Sequence, residues 1–239
     1  MKLNSRTILT GLAFLSICAF WQMYDNVIPL ILTKTFHMNE TLSGSIMAAD
    51  NILALFLLPF FGARSDKTNT KIGKRMPYIL FGTGCAVILM NLLPLIDNSY
   101  AAAPSPFKTV SFVIVLGLLL IAMGTYRSPA VALMPDLTPK PLRSRANAII
   151  NLMGAVGGMV YLGVAAILYS QKRLDAIGLT KADRLDYQPL FLIVSAIMFV
   201  SVGVLFLKIK EPKLTKETQE LEAQHSEWNL AETDASGHE

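Results

Sequence analysis

Six stretches of mostly apolar sequence, each about 20 residues or longer, leave this chain few folds to adopt. An α-helix of roughly 20 such residues crosses a bilayer core, and its backbone polar groups are all satisfied internally. The stretches lie at about 8–33, 43–63, 77–96, 110–134, 146–169 and 189–208. Composition agrees with that reading. Of 239 residues, 53% are hydrophobic and 16% charged, with a mean hydropathy of +0.47. A soluble domain of this size needs more polar surface. The expected fold is all-α, a polytopic six-helix membrane bundle over residues 1–210. The first stretch is too long for a signal peptide, and no small-residue cleavage site follows it. Trp21, Tyr24, Asp25 and Pro29 occupy that region instead. Residues 211–239 are acidic and polar, without apolar periodicity, and read as a mobile cytoplasmic tail or central linker.

The cations set the orientation. With a cytoplasmic N-terminus, the inner side collects Lys2, Arg6, Arg64, Lys67, Lys71, Lys74, Arg75, Lys140, Arg143, Arg145, Lys208, Lys210, Lys213 and Lys216. The outer side holds Lys34, Lys108, Lys172, Arg173, Lys181 and Arg184. That excess places both termini in the cytoplasm of a cell bounded by this membrane. It also explains the net charge of +4 without nucleic acid, because the cations sit in loops and not along one groove-binding face. Cys18 and Cys85 fall inside apolar runs and read as packing residues. His37, His225 and His238 have no second metal-ligand type at useful spacing, so neither a metal nor a cofactor is expected. No nucleophile–base pair appears at mechanistic spacing, so the chain is not read as an enzyme.

Three ionisable residues fall within the expected spans: Asp25, Asp50 and Arg127. At mid-bilayer each costs at least ~2.5–3.5 kcal/mol, so such residues tend to face a bundle interior or a watery cavity. Trp21 lies one turn before Asp25 on the same face, and Tyr24 and Asn26 flank it. Rings beside a carboxylate and an amide suit sugars, and equally other polar solutes. Asp50 leads the face Asp50, Leu53, Ala54, Leu57, but it is near enough to the outer surface to be simply wet. Arg127 precedes Pro129 and Pro135, which free backbone carbonyls. It either binds solute or gates, or else it snorkels to the inner interface. In the fifth span Gly154 and Gly158 form a small-xxx-small pair for close helix approach, and Asn151 faces a cavity or another helix.

The loop between the second and third spans, GARSDKTNTKIGKRMPYI, carries the strongest motif. Its cations serve topology, and Asp66 does not. Asp66 is expected to accept from a helix N-terminus or to pair with a nearby Arg. Gly62, Asp66, Gly73, Lys74 and Arg75 resemble the loop signature of the major facilitator superfamily. With Pro77 after the basic cluster, the longer form is similar to sucrose transporters and the related glycoside–pentoside–hexuronide cation symporters. The stretch ALMPDLTPKPLRSRANAIINLMGAVG resembles a second segment of sucrose-type carriers, through Ala132, Leu133, Asp136, Leu137, Thr138, Arg143, Arg145, Ala146, Asn147 and Ala148.

The resemblance implies one half of a major-facilitator-type fold. The function it implies is secondary active transport of a sugar or similar small polar solute, driven by a proton or sodium ion. Asp25 sits where melibiose-type carriers contact sugar, whereas Arg127 stands where they place an acid. The charged loop, with Asp136, Arg143 and Arg145, is implied to form a cytoplasmic latch that holds the outward-facing state. The superfamily places its substrate between two six-helix halves. The expected partners are therefore solute, coupling ion, membrane lipid, and a C-terminal half or a second copy. The chain is expected to be a fragment of a longer transporter or a half-chain that assembles. The alternative is a non-transporting scaffold, assembly subunit or inert remnant.

Overall fold

The computed structural model describes residues 3–176, 178–180 and 183–225, with side chains from residue 5. Residues 226–239 of the expected tail, together with Lys2 and Lys181, lie outside the described residues.

Among the described residues all regular structure is helical: α1 Leu3–Leu30, α2 Glu40–Asp66, α3 Met76–Ala102, α4 Pro106–Leu137, α5 Arg143–Leu168, the short α6 Gln171–Ala176, α7 Gln188–Lys208 and α8 Glu211–Gln224. Six helices are long and apolar enough to cross a membrane, and each expected stretch falls inside one of them. Helix α1 is the hub, packing on α5, α7 and α4. Helix α3 packs on α4 and α7, and α2 rests mainly on α4. Phe20, Met23, Tyr24, Val27 and Ile28 of α1 are fully buried among Tyr126, Met198 and Val202. Apolar matching alone does not hold helices together in lipid, so close packing and buried hydrogen bonds matter more. Both are present. The Tyr126 hydroxyl donates to the Ala13 carbonyl at 3.0 Å and meets Ser16 Oγ at 2.6 Å. A Cβ on Gly157 would fall 2.0 Å from the Leu15 carbonyl oxygen, and one on Gly154 2.8 Å from Cys18 Sγ. The small-residue face of α5 is therefore closed by α1.

Three features depart from the sequence expectation. Pro29 is followed by a π-helical turn, Ile31–Thr35, that carries α1 beyond its α-helical end. Helix α3 continues to Ala102, so Asp97 is also a charged residue within a span, and it is wholly buried. The α6–α7 segment answers it, with Arg184 Nη2 at 2.7 Å from Asp97 Oδ2. Finally, residues 211–224 are helical, where sequence reasoning expects a tail without periodicity.

Candidate functional site

Two clusters carry the chemistry. The first lies at mid-bundle between α1, α2 and α4. Trp21, Asp50, Leu53, Ala54, Leu57, Gly124 and Arg127 line one narrow cleft of about 20 Å³. The face Asp50, Leu53, Ala54, Leu57 expected on α2 is the face that lines it. The Arg127 guanidinium carbon sits 5.5 Å from the centroid of the Trp21 ring, within cation–π range. Arg127 makes no ion pair among the described residues. Trp21 and Tyr24 meet edge to face at 5.3 Å. Asp25 and Asp50 lie within electrostatic reach of each other and of the Tyr24 hydroxyl. The Trp21 Nε1 and Tyr24 hydroxyl are both buried and have no hydrogen-bond partner among the described residues. Buried donors in native proteins are nearly always satisfied, so two in one place mark a position where polar atoms are wanted.

The cleft holds about one water, far below the roughly 300–1,000 Å³ of small-molecule sites. The polar residues around it look outward. Gln22, Asp25, Asn26, Asn51 and Asn151 all lie within helices long and apolar enough to span, and all are exposed. Asn26 Nδ2 donates to the Gln22 carbonyl at 2.7 Å, and Asn51 Nδ2 to Asp50 Oδ1 at 2.9 Å. Asn151 makes no hydrogen bond among the described residues and does not line the cleft. Sequence reasoning missed Gln22 and Asn51. Both sit one helical turn or less from an acid already singled out, and that proximity was the available signal.

The second cluster closes the cation-rich end. Arg75, only 4% exposed, is its centre. Its guanidinium pairs with Asp66 and, at 3.0 Å, with Asp136 Oδ2; it also donates to the Gly62 carbonyl at 3.3 Å. Lys74 Nζ joins Asp136 at 3.1 Å. Of the two roles open to Asp66, the Arg pair is the one observed. The N-terminus of α3 is taken by Glu211. The Glu211 carboxylate accepts from the backbone N–H groups of Lys74 at 2.9 Å, Arg75 at 2.9 Å and Met76 at 2.8 Å. Gly73 makes this possible. Its φ is +119°, and a Cβ there would sit 2.2 Å from Glu211 Oε2. Gly62 has Ser128 Oγ 3.1 Å from its would-be Cβ, which keeps α2 close to α4.

Helix α8 thus belongs to this site. Glu217 pairs with Arg6 of α1, and Glu222 Oε1 accepts from the Lys140 backbone N–H at 3.0 Å and from Arg143 Nη2 at 3.2 Å. Three acids of one helix therefore meet the starts of α1, α3 and α5, where the helix dipoles favour negative charge. Arg143 is held by α8 and not by the Asp66–Arg75–Asp136 cluster. Arg145 is exposed and makes no ion pair among the described residues.

Among the described residues, six long apolar helices with a charge cluster clasping one end fit an integral membrane protein. The chain belongs to the Major Facilitator Superfamily, whose family profile matches residues 10–234. Several of its curated relatives are sucrose transport proteins. It is 32% identical over 147 residues to the "Sucrose transport protein SUC3" of Arabidopsis thaliana, covering 56% of this chain and 24% of that protein. It is 28% identical over 141 residues to the "Sucrose transport protein SUT3" of Oryza sativa subsp. indica, covering 53% and 28%. The "Putative transporter YdfJ" of Escherichia coli (strain K12) is 36% identical over 92 residues, covering 36% and 20%. The chain spans about a quarter of the length of the first two relatives. No solved structure gives a significant match.

Proposed function

We propose that this chain acts as the N-terminal half of a secondary transporter for a sugar or similar small polar solute, coupled to a proton or sodium ion. The observation that carries it is the set of exposed polar groups within the spanning helices. Gln22, Asp25, Asn26, Asn51 and Asn151 would face lipid if the six helices stood alone, and an acid such as Asp25 costs ~2.5–3.5 kcal/mol at the bilayer centre. A second wall, supplied by a C-terminal half or a second copy, turns that face into a wet cavity. In it the Trp21 ring offers a stacking platform for the apolar face of a sugar. Arg127 and Asp25 take solute hydroxyls, Tyr24 backs the Trp21 ring, and Asp25 with Asp50 is the acid pair open to a coupling ion. The cation-rich end faces the cytoplasm, and the Asp66–Arg75–Asp136 cluster forms part of the latch that opens on inward release. The sucrose transport proteins among the relatives favour a sugar over other polar solutes.

The test is uptake by vesicles holding the chain with its second half. Arg127→Gln and Asp25→Asn are each expected to lower uptake at least about tenfold, the loss of one hydrogen bond to a charged group being about 1.5–3 kcal/mol. Uptake untouched by both changes overturns these assignments.

A further inference from the structure

Four of the five cations from Arg64 to Arg75 fall into two groups, with Lys71 outside both. Lys74 and Arg75 are consumed by Asp66 and Asp136. Arg64 and Lys67 are exposed and make no ion pair among the described residues. These two line a groove of about 420 Å³ between the end of α2 and the start of α3, with Phe60, Ala63, Thr68 and Tyr78. Topology requires cations in this loop but does not require them to share a groove.

The groove is graded along the axis of α2. Phe60, Arg64 and Lys67 are spaced by four and three residues, so they share one face of the last two turns of α2. Phe60 is 58% exposed and stacks edge to face on Phe61 at 5.2 Å. From Phe60 to Lys67 the helix rises about 10 Å, enough to run from acyl chains through the headgroup layer. At the upper rim the Thr68 hydroxyl donates to the Arg64 carbonyl and accepts from the Tyr78 hydroxyl, each at 2.9 Å, which ties the end of α2 to α3 and leaves the cations as the donors open to a ligand. An apolar floor beside two exposed cations without an ion pair among the described residues suits a group that is anionic, rich in oxygen and attached to hydrocarbon.

We propose that this groove binds the phosphate of an anionic phospholipid, with Arg64 and Lys67 on the phosphate oxygens, Tyr78 at the rim and Phe60 against the upper acyl chain. The site is independent of solute transport and of which side of the membrane the cation-rich end faces.

The experiment uses the purified full chain in nanodiscs and measures how much phosphatidylglycerol is retained against phosphatidylcholine, by native mass spectrometry. The unaltered chain is expected to retain phosphatidylglycerol preferentially. Each of Arg64→Gln and Lys67→Gln is expected to weaken that preference about fivefold, and the pair together about 25-fold. Arg64→Lys keeps the charge and is expected to keep most of the binding, which separates lost contact from lost folding. Lys71→Gln, in the same loop but outside the groove, is expected to leave it unchanged. A loss with Lys71→Gln as large as that with Arg64→Gln overturns the proposal in favour of diffuse surface charge, and so does the absence of any preference for phosphatidylglycerol. Inorganic phosphate tests the other source of the same chemistry. If millimolar phosphate displaces the lipid and Phe60→Ala leaves lipid retention intact, the occupant is the free anion and the lipid assignment falls. If phosphate does not compete and Phe60→Ala weakens retention, the lipid assignment stands.

Discussion

Gly73 concentrates the strain of the charged loop into one residue. Its φ of +119° is open to glycine and costly for any other residue, and the space its side chain would fill is occupied by the Glu211 carboxylate. Gly73→Ala is therefore expected to lose about 1–3 kcal/mol from backbone strain alone, with a further loss if Glu211 is pushed off the start of α3. The midpoint of thermal unfolding in detergent measures it. Gly84→Ala, at a helical glycine with open space around its Cβ position, is the matched control and is expected to change little. An equal drop in both variants would remove the special role given to Gly73. Asp97 makes a related point at the opposite end of the bundle. Arg184 must stay with it, because an unpaired carboxylate at full burial is one of the costlier defects a protein can hold.

Helix α8 is held by acids more than by grease. Glu211, Leu214, Thr218 and Glu222 recur at helical spacing, with Glu217 beside them, and Leu214 is the one apolar residue among these five. This is why a search for apolar periodicity passes over the helix. Its periodicity lies in carboxylates whose partners are helix starts and arginines far away in sequence. The six spanning helices are legible for the opposite reason, since lipid imposes one long apolar window on each. Asp97 escapes because the apolar window of α3 ends before the helix does. Trp21, Asp50 and Arg127 are legible as a class, being charges and rings in places where lipid should be. Their shared cleft needed the packing of α1, α2 and α4 to be seen. A test at this scale is Glu211→Gln. It keeps the shape and removes the charge from the start of α3, for an expected loss of about 1–2 kcal/mol. Trypsin should then cut more quickly at Lys213 and Lys216. Unchanged cleavage would mean that α8 is held chiefly by Glu217 and Glu222.

The bundle as a whole is lopsided. The apolar window of α2 has none of its residues buried within the molecule and that of α5 only 17%, against 56% for α1. Leu55 and Phe56 on α2 and Leu152 and Met159 on α5 are more than half exposed. Apolar exposure alone is ordinary in a membrane, where lipid covers it. On α2 and α5, however, it is interleaved with Asn51 and Asn151, which lipid does not accommodate cheaply. Helix α7 is different, since Phe199 and Val200 are as exposed but beyond Gln188 at its start no acid, amide or cation interrupts it before Lys208. If α2 and α5 face a protein partner while α7 faces lipid, single cysteines separate the cases in a background lacking Cys18 and Cys85. Leu55→Cys and Leu152→Cys are expected to give cross-linked product with a short thiol cross-linker in membranes, and Phe199→Cys is not. The mass of the product then names the partner. Twice 26.2 kDa means a second copy, and another increment means a distinct half. Equal cross-linking at all three positions would mean random collision in the bilayer, and the uncovered polar face would need another explanation.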